Sequence, residues 1–139
     1  MADLRIYNRL RPNSAEGMNA LGYTLLSQPQ HLNEAFGLIQ AAYQLQPKSA
    51  AINDSLGWAY FLKGDARAAL PLLQFAYQQM PDPEVAAHLG EVLWTLGQRD
   101  EARRIWAEAL QQDAQHKVLN DTLKRLGVSL PVPSAAPVK

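Results

Sequence analysis

The sequence predicts an all-α fold, an α-solenoid of antiparallel helix pairs, and three observations carry that prediction. A Leu-Gly pair recurs at Leu21-Gly22, Leu56-Gly57 and Leu89-Gly90, at spacings of 35 and 33 residues. An alanine follows each glycine after twelve or thirteen residues (Ala35, Ala69, Ala102), and another comes seven residues later (Ala42, Ala76, Ala109). Prolines punctuate the copies at Pro12, Pro47 and Pro81. A fixed period of this length is the mark of one supersecondary unit stacked on itself, because a single unit cannot bury its apolar face alone.

The elements follow in order. Pro12 lies 35 residues before Pro47, so residues 1–12 read as the second helix of an earlier copy, with Leu4 and Tyr7 at core positions. The first helix of that copy is missing, so the chain is expected to be a piece of a longer repeat protein; a natural N-terminal cap is the alternative. The first complete unit spans 13–47. Its internal link is one residue longer than the others, and the extra residue belongs in the turn 27–31, where insertions cost little.

The second unit, 48–81, is the cleanest. Ser49 is placed to cap a helix from about residue 50 to 63, and Gly64 with Asp65 separates it from a second helix ending at Pro81. Proline lacks an amide donor and disfavours helix in the residue before it, so it marks the end of the copy. The third unit, 82–114, begins after a link one residue shorter. Residues 115–127 read as a capping helix with Val118, Leu119, Thr122, Leu123 and Leu126 on one stripe and Lys117, Asp121, Lys124 and Arg125 facing out. The Pro-rich tail, 128–139, is expected to be disordered.

Small residues have a task in this unit. Gly57, Ala69 and Ala76 are expected where two antiparallel helices approach closely, with Leu56, Tyr60, Leu73 and Tyr77 filling the surrounding space. A mid-helix glycine costs about 1 kcal/mol against alanine, so its return at one register position implies a packing reason.

The set Leu56-Gly57, Tyr60, Ala69, Ala76 and Pro81 resembles the tetratricopeptide repeat (TPR), and the resemblance covers residues 15 to 114. It implies a right-handed solenoid of three such units, flanked by the half-repeat and the capping helix. Departures are local: Met18, Asn53 and Ala86 replace the family's early tryptophan, Leu25 and Leu93 replace the aromatic after the glycine, and Ala114 stands at the third closing proline. The stretches 54–58 and 81–94 are further similar to the C-terminal repeats of long bacterial TPR proteins. Many of those are lipid-anchored at the outer membrane, and some deliver substrates to a periplasmic processing protease. That likeness implies a periplasmic or outer-membrane-associated setting, with the cytoplasm as the alternative.

Composition narrows the function classes. Thirteen basic residues balance thirteen acidic ones, with no basic cluster, which argues against nucleic-acid binding. There is no cysteine, so disulfides and thiolate metal sites are excluded. The longest apolar stretch, 56–62, is too short to span a bilayer. No catalytic motif or phosphate-cradling loop is present, so no enzyme activity and no cofactor are expected. His88 and Glu91 lie one helical turn apart, but two ligands do not make a metal site; an exposed, weakly pH-sensitive pair is the expectation.

Function is therefore expected on the groove lined by the first helix of each pair. The resemblance maps it to Glu16, Asn19, Tyr23 and Leu26 in the first copy, Asp54, Ser55, Trp58 and Phe61 in the second, and His88, Glu91 and Trp94 in the third. This set is aromatic and carries three carboxylates but no lysine or arginine. Repeat proteins that hold the C-terminal carboxylate of chaperones need basic residues here, and only Asn19 matches. The partner expected is a neutral-to-basic, partly apolar peptide or helix of another protein. Two alternatives stand beside this: Trp58, Phe61 and Trp94 pack against second helices and expose little, or the N-terminal half-repeat drives homodimer assembly through Leu4, Ile6 and Tyr7.

Overall fold

The computed structural model describes residues 14–130, and every structural statement below concerns those residues. They form seven α-helices and one short 3-10 turn, with no strand: α1 (Ala15–Leu25), the turn Pro29–His31, α2 (Leu32–Leu45), α3 (Ala50–Leu62), α4 (Ala66–Gln79), α5 (Pro83–Thr95), α6 (Arg99–Gln112) and α7 (Lys117–Leu126). The helices pack as three pairs, α1 with α2, α3 with α4 and α5 with α6, and the second helix of each pair also touches the first helix of the next. This is the all-α solenoid the period predicts. The half-repeat at 1–12, with Leu4, Ile6 and Tyr7, lies outside the described residues, as does the tail from 131 onward.

Local chemistry sets the helix ends. Side chains of Ser14, Ser49, Asp65 and Asp82 accept hydrogen bonds from backbone N–H groups in the first turns of α1, α3, α4 and α5. Between α3 and α4, and again between α5 and α6, the chain turns through a left-handed glycine, Gly64 at φ 94° and Gly97 at φ 88°. The longer link of the first pair has no such glycine, and the 3-10 turn takes up its extra residue. Pro71 lies inside α4, where its missing N–H removes one ladder bond at an exposed position without ending the helix.

The core runs through the pairs. Ala35, Ala69 and Ala102, with Ala42, Ala76 and Ala109, are fully buried on the second helices. Opposite them, Gly22, Gly57 and Gly90 face Ile39, Leu73 and Trp106 too closely for a side chain to intervene. The repeating glycine is therefore a close-packing residue, as its register position requires.

Two further features position the site. The first helices touch from pair to pair (α1 with α3, α3 with α5, α5 with α7), whereas the second helices of successive pairs scarcely meet. Closer spacing on one side of a stack curves it toward that side, so α1, α3 and α5 form the inner wall. The last helix, α7, leans mainly on α5 and only lightly on α6, closing one end of that wall. Packing also continues past Gly127. Val128 donates its N–H to the Leu123 carbonyl, and Val128 and Leu130 are half-buried against the last cluster.

Candidate functional site

The inner wall is tied together by side chains that reach from one pair to the next. Asp54 on α3 and His88 on α5 are both buried, and Nδ1 of His88 lies 2.8 Å from Asp54 Oδ1. A carboxylate can only accept, so Nδ1 carries the proton and Nε2 is turned the other way. Tyr23 on α1 spans two pairs: its hydroxyl donates to Glu84 in the first turn of α5 and lies 3.5 Å from His88 Nε2. Burial, the bond to Glu84 and the nearby carboxylates of Asp54 and Asp82 together push the Tyr23 phenol far above its ordinary range. Trp58 stacks on the His88 ring at 4.1 Å between centroids and on Phe61 at 5.1 Å.

Tyr23 divides two clefts. One, of about 360 Å³, is lined by Asn19, Ala51, Met80 and Val85 with the carboxylates of Asp54, Asp82 and Glu84; among the described residues no lysine or arginine lines it. The other, of about 390 Å³, is apolar and lies between Leu26, Pro29, Trp58 and Leu62.

The eleven residues named from the sequence do not all share this surface. Asn19, Tyr23, Asp54 and Ser55 line the first cleft; Tyr23, Leu26 and Trp58 line the second. Ser55 is buried and spends its hydroxyl on the Ala51 carbonyl, and Leu26 belongs to the core as much as to the groove. Glu16 is exposed at the start of α1, outside both clefts.

Two expectations are corrected. His88 and Glu91 are not an exposed pair: each is buried and each has its own partner, Asp54 for His88 and Arg125 for Glu91. Arg125 of α7 reaches back to Glu91 with two bonds of 2.9 and 2.5 Å, so it does not simply face out, and the third-pair end of the groove is neutralised. The hydrogen bonds to Glu91, and then its charge, hold the Arg125 guanidinium above its ordinary range. No group of three or more potential metal ligands occurs among the described residues.

The three large aromatics separate. Trp58 and the partly buried Phe61 stay on the inner wall. Trp94 packs instead against the fully buried Trp106 of α6, and the guanidiniums of Arg99 and Arg103 lie 4.4 and 5.0 Å from its ring centre. Trp94 thus packs on a second helix, whereas Trp58 packs against Phe61, His88 and the core and also lines the apolar cleft.

Sequence reasoning missed Glu84, Asp82 and Arg125. Two signals were present. Asp82 and Glu84 follow the closing Pro81, where the chain enters the next first helix and rims the groove. Arg125 lies 34 residues after Glu91, the same one-unit step that separates Asp54 from His88, and residues one unit apart on first helices are neighbours in the stack.

A stack of helix pairs with a continuous inner wall of clefts defines an α-solenoid of the protein-interaction type. Its likeness is to the tetratricopeptide-repeat proteins. A family model described as tetratricopeptide repeat matches residues 60–126. A TPR repeat-containing protein of Pseudomonas aeruginosa is 45% identical over 89 residues, covering 64% of this chain and 15% of the relative. This chain therefore matches only a small part of that relative's length. Among solved structures, a thermophilic TPR protein of Thermus thermophilus superposes with a TM-score of 0.72 at 22% identity, covering 91% of this chain and 71% of the other. The structure of MamA gives 0.67 at 21% identity, covering 90% and 75%. At that identity the structural likeness speaks to the fold. As a class the fold is a protein–protein interaction scaffold, generally without enzyme activity.

Proposed function

We propose that this chain is a non-enzymatic scaffold whose inner wall holds a segment of a partner protein, neutral to basic and partly apolar. The observation that carries the reading is the wall around Tyr23. Carboxylates of Asp54, Asp82 and Glu84 sit on one side, an apolar cleft with the Trp58 ring on the other, and among the described residues no lysine or arginine lines either. Aromatic side chains held by packing lose little freedom on binding, which suits them as contact points. The network from Tyr23 through Glu84, His88 and Asp54 fixes α1, α3 and α5 relative to one another, so the surface is preorganised. The likeness of residues 54–58 and 81–94 to the terminal repeats of long bacterial proteins, together with the match to part of a much longer Pseudomonas relative, supports an adaptor role in the bacterial envelope.

The test is site-specific photo-crosslinking in bacterial cells. A photoreactive residue replaces Leu62, at the apolar cleft of the inner wall, or Gln74, on the exposed face of α4. The reading expects a discrete crosslinked partner from position 62, absent from position 74 and lost with Trp58→Ala. Equal crosslinking from both positions, or none from 62, would overturn it.

A further inference from the structure

The geometry points to a two-socket recognition site divided by Tyr23, in which the acidic cleft takes a partner's lysine or arginine side chain and the apolar cleft takes a neighbouring aliphatic or aromatic one. It deepens the groove reading above and rests on it. The first socket has the chemistry a basic side chain needs. Its walls are largely apolar, through Ala20, Ala51, Met80 and Val85, which suits a methylene stem; its charged groups are carboxylates. Asp82 spends one oxygen, Oδ1, on the N–H of Val85, Glu84 accepts from Tyr23, and Asp54 from His88. Each carboxylate has two oxygens and about four lone-pair sites, so every one of them keeps accepting capacity toward the cleft.

Three further observations agree. Asn19, which also lines this socket, has a buried Oδ1 without a hydrogen-bond partner, an acceptor left unspent in the socket wall. Asp54, Asp82 and Glu84 line the socket beside Tyr23, and burial first, then these three carboxylates, push its phenol up. His88 is buried beneath Trp58 and bonded to Asp54, and does not line the cleft. The second socket is the complement: Leu26, Pro29, Trp58 and Leu62 offer apolar surface and no charge. Both sockets share Tyr23, so their occupants must be close together in one segment.

The experiment uses the full chain and two blocked peptides of Gly-Ser background. One carries a leucine two positions from a lysine; the other has norleucine in place of the lysine, keeping the stem and removing the charge. Binding is followed in assigned ¹H–¹⁵N spectra. The lysine peptide is expected to shift the amides of Asn19, Ala51 and Asp54 as well as the Trp58 indole N–H. It should bind about fivefold or more tightly than the norleucine peptide, the size expected of partly exposed charge pairs. The double substitution Asp82→Asn, Glu84→Gln should erase that preference while retaining the cap and an acceptor for Tyr23. If both peptides bind alike, or the preference survives the double substitution, the basic socket is wrong while a Trp58 shift still upholds the groove. If neither peptide moves Trp58 or the cleft amides, socket and groove readings fall together.

Discussion

Gly90 of α5 lies directly against the indole of Trp106 in α6: a methyl group built on Gly90 would sit 2.1 Å from Nε1 of that ring. Trp106 is wholly buried, so the ring has nowhere to retreat. The equivalent contacts are 2.6 Å from Gly22 to Ile39 and 2.7 Å from Gly57 to Leu73, both against fully buried aliphatic side chains. Replacing a helix glycine with alanine favours the helix by about 0.5–1 kcal/mol, and overpacking a tight core costs about 1–3 kcal/mol. Gly90→Ala is therefore expected to destabilise most, since a rigid two-ring side chain must be displaced. Gly37→Ala is expected to stabilise by about 0.5–1 kcal/mol, because the site is an exposed helix position with nothing within 4 Å. Urea unfolding of the four single alanine variants gives the ranking directly.

The buried pair Asp54–His88 should behave as a unit. Asp54→Ala leaves the Nδ1–H of a buried imidazole without an acceptor, a loss expected to cost about 1–3 kcal/mol. His88→Ala removes the ring beneath Trp58 and frees Asp54. A double-mutant cycle on the two is expected to show a coupling of about 1 kcal/mol or more, since each single change strands the other partner. Additive single effects in chemical denaturation would mean that the pair contributes nothing as a pair.

Such pairings show how far the sequence could be read. Glycines and alanines recur because close helix packing demands them, and closing prolines because they end each copy, so the helix pairs were legible from spacing, while the inner wall followed from the resemblance to the repeat family. The groove's electrostatics were only partly so. Register placed His88 and Glu91 on helices of the inner wall but said nothing of depth, and depth depends on which side chain of the next pair covers them. Arg125 sits on a helix whose stripe pointed its charges outward, yet its long side chain bends back to Glu91. Tyr23 and Glu84 are 61 residues apart and meet because the solenoid curves, a property of the whole stack rather than of any one unit.

Alkaline pH offers a test of the two perturbed phenols. Tyr77 donates to Glu108, and burial with that bond pushes its phenol up to about 12; Tyr23 is pushed higher still, by burial first and then by Glu84. A raised phenol keeps its proton in the folded state after the unfolded chain has lost it. Its contribution is therefore complete below the ordinary value near 10 and is lost as pH rises toward the folded value. Stability of the wild type should fall from about pH 10 upward, each phenol adding at most about 1.4 kcal/mol per pH unit. Tyr23→Phe should flatten the slope more than Tyr77→Phe, because Tyr77 is more open to screening by solvent. Denaturant titrations at several pH values between 9 and 12 measure both slopes; identical slopes in wild type and Tyr23→Phe would contradict the buried, carboxylate-ringed setting of that hydroxyl.

Trp58 and Trp94 should part company under substitution. Trp94 contacts Trp106 and lies under Arg99 and Arg103, so truncating it removes packing and two cation–π contacts. Trp94→Ala is expected to lower stability by about 1–3 kcal/mol, below the roughly 3–5 kcal/mol of a fully buried aromatic, because the ring is only half-buried. Affinity for a groove ligand should change less than about twofold, since Trp94 lines neither cleft. Trp58 stacks on His88 and Phe61 while presenting its remaining surface to the apolar cleft. Trp58→Ala is therefore expected to weaken both, with a binding loss of about 1 kcal/mol or more. Paired thermal melts and peptide titrations on the two variants decide it: equal binding losses would place both indoles in the contact surface, and the covering of Trp94 by two arginines would then have to open on binding.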